Sequence, residues 1–112
     1  MATAKILIVD DNTRVLQTIA SLVRELGFFV IESASVEAAL GLLAGGDVDV
    51  LLCDDDLGTD LSGGDFIGRN PTLMPATVVL MSGNPKPYGL AKNIRFLSKP
   101  FTSRQLEAVL LP

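Results

Sequence analysis

The chain has 112 residues, 48% hydrophobic and 20% charged, a globular balance that excludes a disordered or low-complexity polypeptide. Its formal net charge is −4 with no basic run, which argues against direct nucleic-acid binding, and it has no histidine, which removes imidazole catalysis, imidazole metal ligation and a phosphohistidine of its own. A single cysteine rules out an internal disulfide, and no apolar run nears the ~20 residues that would insert in a membrane. No signal-peptide pattern opens the chain, so a cytoplasmic protein with one domain over residues 1–112 is expected.

Lys5 to Val9 is a short apolar, β-branched run that reads as a central first strand, ending in Asp10-Asp11-Asn12. Val15, Ile19, Leu22, Val23 and Leu26 then recur at helical spacing, with Asp11 or Asn12 as N-cap and Gly27 as stop. Phe28 to Ile31 reads as a second strand, and Ser35 caps a second helix carrying Val36, Leu40 and Leu43. Val50 to Cys53 forms a third strand, apolar on both faces, which implies helices on both sides of a parallel sheet. Gly63 to Arg69 has room for about two helical turns before Asn70-Pro71. Thr77 to Met81 and Ile94 to Ser98 read as the fourth and fifth strands, and Pro85 and Pro87 limit any helix between them to about one turn. Thr102 and Gln105 match a capping box for a last helix with Leu106, Val109 and Leu110 inward.

The strand ends carry the chemistry. Asp10 and Asp11 end the first strand, Asp54-Asp55-Asp56 the third, Ser82 the fourth and Lys99 the fifth. Open parallel sheets bind ligands beyond the carboxyl ends of their strands, so these groups converge if the third strand lies beside the first. Magnesium takes oxygen ligands, commonly one or two carboxylates with waters and a phosphate oxygen; Asp11 and Asp54 suit it, with Asp10 accepting from bound waters. Lys99 offers a compact charge for a carboxylate at rest and a phosphoryl oxygen later. A carboxylate is also a nucleophile that is already ionised at neutral pH, so phosphoryl transfer onto Asp54 needs no general base.

With these motifs in order, the chain resembles the receiver domain of two-component response regulators over essentially its whole length. The resemblance rests on Ile6 to Asp11, Asp49 to Asp54, Leu80 to Gly83, and Phe96 to Phe101. It implies a flavodoxin-like α/β fold with a five-stranded parallel sheet in the order 2-1-3-4-5. It implies a bacterial signalling switch whose Asp54 accepts a phosphoryl group from the phosphohistidine of a histidine kinase or histidine phosphotransfer protein, and no turnover enzyme beyond phosphorylation by small donors and self-dephosphorylation. Magnesium would be held by Asp10, Asp11, Asp54 and the main-chain carbonyl of Asp56. Ser82 would turn to the phosphoryl group, Lys99 would pair with it, and Phe96 would swing inward as an aromatic switch. The resemblance also leaves room for a homodimer.

Departures accompany it. Gly58 stands where the family often has proline, and Gly63 comes one residue later than in the commonest pattern, which is closer to receivers of hybrid sensor kinases. Asp55 and Asp56 make the site unusually acidic, and the short segment from Ser82 to Lys99 leaves the family's fourth helix stunted or absent.

Plainer roles compete at each position. Asp10 and Asp11 could simply cap the first helix, Ser82 could satisfy a turn, Phe96 could be core, and Cys53 reads as a small buried hydrophobe. Two other functions compete as well. One is a docking or dimerisation module that ignores phosphate. The other is a haloacid-dehalogenase-like phosphatase, suggested by Asp54-Asp55-Asp56 with Thr59 after an apolar strand; in that family, however, the nucleophile strand comes first, whereas here the acidic pair opens the chain.

Overall fold

The computed structural model describes residues 4–111. Its strands are β1 (Lys5–Val9), β2 (Phe29–Ser33), β3 (Val50–Asp54), β4 (Thr77–Ser82) and β5 (Ile94–Ser98). Its helices are α1 (Thr13–Glu25), α2 (Val36–Ala44), α3 (Gly63–Arg69) and α4 (Ser103–Leu110). All strand pairs are parallel, in the order β2-β1-β3-β4-β5, the flavodoxin-like arrangement expected.

Side chains alternate across a pleated strand, and both faces are apolar here. Ile6, Ile8, Val50, Leu52, Val79 and Met81 pack under α1 and α4. Leu7, Val9, Leu51, Cys53, Val78 and Leu80 face α2 and α3 on the other side. β3 sits in the middle of the sheet and is buried at every position.

In α1 the Asn12 side chain caps the helix, accepting from the N–H groups of Arg14 and Val15. The buried seam is Leu16, Ile19, Ala20 and Val23; Val15, Leu22 and Leu26 only flank the core. The sequence reading had Ile19 and Val23 but set the stripe on Val15 and Leu22, whereas it follows i, i+3, i+4, i+7 from Leu16. In α2 the small Ala39 is buried together with Leu43, while Val36 and Leu40 lie at the margin. β2 runs two residues further than its apolar run, because its pairing with β1 continues through Ile8–Glu32 and Val9–Ser33; Glu32 also pairs with Arg24 at 2.9 Å, and the buried Ser33 hydroxyl donates to the Ser35 carbonyl.

The second half is lean, as expected. α3 has seven residues, and a 3-10 turn over Pro71–Leu73, absent from the sequence reading, leads to β4. Between β4 and β5 residues 83–93 form no helix; two turns suffice, Leu90 N–H to Pro87 carbonyl and Ile94 N–H to Ala91 carbonyl. α4 opens with the reciprocal Thr102–Gln105 capping box and buries Leu106 and Leu110. Arg95 on the edge strand β5 donates to the Val109 carbonyl at 2.8 Å and to that of Leu111, tying the helix end to the sheet. Among the described residues, no helix is long and apolar enough to cross a membrane.

Candidate functional site

Strand register brings the polar ends together. Val9 lies opposite Cys53, so Asp10 and Asp54 emerge side by side. Asp54 lies opposite Met81, which puts Ser82 just beyond, and Ser82 lies opposite Ser98, which brings Lys99 into the row. The Lys99 N–H donates to the Ser82 carbonyl at 2.8 Å, extending the β4–β5 ladder to the site.

Lys99 Nζ is 2.6 Å from Asp54 Oδ1 and 3.5 Å from Asp10 Oδ2. Asp10 is only 2% exposed and Asp54 only 6%. Asp10 Oδ1 accepts from the Asn12 N–H at 3.0 Å, whereas its buried Oδ2 accepts no hydrogen bond. Asp54 Oδ2 accepts from the Asp56 N–H at 3.2 Å. Burial pushes the Asp54 carboxyl above its ordinary range; Lys99 pulls it back through its hydrogen bond and charge, and Asp10 pushes it up again. Burial, reinforced by the neighbouring carboxylates, holds the Cys53 thiol far above its usual range, and its Sγ–H donates to the Asp54 main-chain carbonyl.

Asp11 completes the cluster. Asp10, Asp11 and Asp54 each offer a carboxylate oxygen, all within 4.8 Å of one another. The all-oxygen donor set, a buried Asp10 oxygen that accepts no hydrogen bond and an exposed Asp11 fit a hard cation with its waters.

Of the three consecutive acids, two serve the loop itself. Asp55 Oδ1 accepts from the Gly64 N–H at 3.1 Å and its carbonyl accepts from Gly63, anchoring the start of α3. Asp56 Oδ1 accepts from the Gly58 N–H at 3.0 Å. These roles were not legible beforehand, nor was the reason for Gly63: a Cβ there would lie 2.2 Å from the Asp54 carbonyl oxygen. Its signals were being glycine and its place in the family's pattern, and neither told of the close carbonyl.

A cleft of ≈ 490 Å³ opens over the row, lined among others by Asp54, Thr59, Ser82, Asn84 and Lys99. The buried Ser82 hydroxyl accepts from the Asn84 N–H at 3.0 Å. Phe96 lies apart from this lining; half-buried, it packs against the layer of Leu7, Val9 and Leu80.

The family model for the response regulator receiver domain matches residues 6–111. The chain belongs to this receiver family. A receiver domain from Methylobacillus flagellatus is similar at 25% identity with a TM-score of 0.85, covering 97% of each chain. The receiver domain of the hybrid histidine kinase CckA is similar at 26% identity and a TM-score of 0.78, over 96% of this chain and 95% of that one. The chemotaxis protein CheY4 of Vibrio cholerae, 22% identical, shares the fold with a TM-score of 0.82 over 97% of each chain. Curated protein sequences give no match. In this receiver, then, β1, β3, β4 and β5 each deliver one part of a single polar edge.

Proposed function

We propose that this receiver is a phosphorylation-dependent switch of a two-component or phosphorelay system, with residues 1–112 as one receiver domain. Asp54 takes a phosphoryl group from the phosphohistidine of a partner histidine kinase or histidine phosphotransfer protein. One observation carries the reading: Lys99 bridges two buried carboxylates, one of which keeps an oxygen with no hydrogen bond. Magnesium bound by Asp10, Asp11, Asp54 and the main-chain carbonyl of Asp56 would supply charge neutralisation to the phosphoryl oxygens.

The receiver's own residues do the rest. An Asp54 carboxylate oxygen forms a P–O bond as the donor's P–N bond breaks, and that bond's electron pair stays on the imidazole nitrogen. Lys99 then exchanges its contact with Asp54 for one with a phosphoryl oxygen. The Ser82 hydroxyl leaves the Asn84 N–H and turns to the phosphoryl group, and Phe96 moves inward. Phosphorylation in this way biases two conformations through contacts that exist in only one of them.

Intact mass after incubation with acetyl phosphate and magnesium tests the reading. Addition of one phosphoryl group, lost in Asp54→Asn and without magnesium, is expected. The helix-less β4–β5 connection and the short α3 favour a second reading, a docking or dimerisation module that ignores phosphate. No mass gain from acetyl phosphate or from a phosphorylated histidine-containing donor would select it.

A further inference from the structure

Asp11 is the exposed member of the acidic cluster, and because Asn12 caps α1 the helix makes no use of its carboxylate. What it meets is the β3–α3 loop. Two short steps carry that loop from the phosphoacceptor candidate to Asp11: the Asp56 N–H donates to Asp54 Oδ2, and the Gly58 N–H donates to Asp56 Oδ1. Gly58 then adopts φ +71, and a Cβ built on it would lie 2.1 Å from Asp11 Oδ2 and 3.0 Å from its Cγ. Only a bare α-carbon lets the loop fold this closely over the carboxylate.

We propose that Gly58 is a positioning residue: its α-carbon is the seat of the Asp11 carboxylate, and that seat sets the site's affinity for a divalent cation. The inference rests on the reading of Asp10, Asp11 and Asp54 as a cation site. A side chain at position 58 meets the far end of an exposed, flexible aspartate, so Asp11 gives way before the loop does. Moving the Asp11 carboxylate then disturbs a group in which Asp10, Asp11 and Asp54 each now offer an oxygen within 4.8 Å of the others. The predicted damage is to cation binding more than to folding.

Manganese serves as the probe, since it shares magnesium's preference for oxygen ligands and free Mn2+ is counted directly by electron paramagnetic resonance. Wild type, Gly58→Ala and Gly46→Ala are titrated, with melting followed in chelator. Gly46 is the control: it has φ +74, but nothing lies within 4 Å of its Cβ position, so its alanine variant carries left-handed strain alone. Gly58→Ala is expected to weaken Mn2+ binding about tenfold or more, the loss usual when the support of a metal ligand is altered. Gly46→Ala should bind as wild type does while losing comparable melting temperature. Equal binding by wild type and Gly58→Ala overturns the role of Gly58 and leaves the cation site standing, as does an equal loss in Gly46→Ala. No binding by wild type overturns the cation site and this inference together. If Gly58→Ala does not fold, Gly58→Asn, which accepts positive φ more readily, is read in the same way.

Discussion

Lys99 Nζ lies 2.6 Å from Asp54 Oδ1, and the same ammonium group stands 3.5 Å from Asp10 Oδ2, so one cation serves two buried carboxylates. Lys99→Gln removes the charge and leaves both acids in a poorly solvated place. A loss of about 2 kcal/mol is expected in chelator, below the ~3–5 kcal/mol of fully buried pairs because the lysine side chain keeps 26% of its surface exposed. Urea unfolding measures it. Added magnesium should narrow the gap between variant and wild type; a gap unmoved by the cation would detach Lys99 from the site's charge balance.

The raised Asp54 carboxyl has a consequence for stability against pH. The folded chain holds this proton more tightly than the unfolded chain, chiefly because of burial. Protonation therefore favours folding: the contribution is complete below the ordinary carboxylate range and is lost as pH rises through the raised folded value. Asp54→Asn cannot ionise and escapes that loss. In chelator its melting temperature should exceed that of wild type at neutral pH, and the advantage should shrink as the solution is made acidic. A difference that stays constant from about pH 4 to about pH 8 would contradict the burial argument.

Cys53 is fully buried within β3, its thiol held protonated by burial and by neighbouring carboxylates. A thiol-reactive disulfide reagent should leave the native chain unlabelled and modify it readily in denaturant. Rapid labelling of the native chain would show that β3 opens far more easily than its burial implies.

Gly63 and Gly58 both lack room for a side chain, yet they should fail in different ways. At Gly63 the obstacle is main chain, the Asp54 carbonyl 2.2 Å from a Cβ, with the Asp55 α-carbon beside it. Backbone cannot step aside as Asp11 can. Gly63→Ala should therefore cost about 2–3 kcal/mol of stability, read by urea unfolding, through overpacking at the start of α3. A near-neutral effect would mean that the loop has slack the geometry does not suggest.

Much of this architecture is legible in the sequence because its strands are apolar runs that stop on charge. Cys53-Asp54 and Val9-Asp10 mark both the end of a strand and the edge of the site in one step. Polar residues inside elements hide more. Glu32 and Ser33 lie beyond the strand as read from its apolar run, although both pair with β1 within β2. Ala20 and Ala39 carry little hydrophobic signal, although their small size lets α1 and α2 settle on the sheet. Contacts between distant parts of the chain leave the faintest mark of all. The approach of Gly58 to Asp11 exists only once the sheet has brought β1 and β3 together.

The helix-less connection between β4 and β5 carries the chain's one tyrosine, Tyr88, fully exposed, and the sequence contains no tryptophan. Nearly all ultraviolet absorbance and emission at tyrosine wavelengths thus comes from a single ring that the core never touches. Melting followed at those wavelengths should register little even as both apolar layers come apart. A partner that settles on residues 83–93 would shift the same signal strongly, so this chain comes with a native dye for contacts at one address and is almost colourless everywhere else.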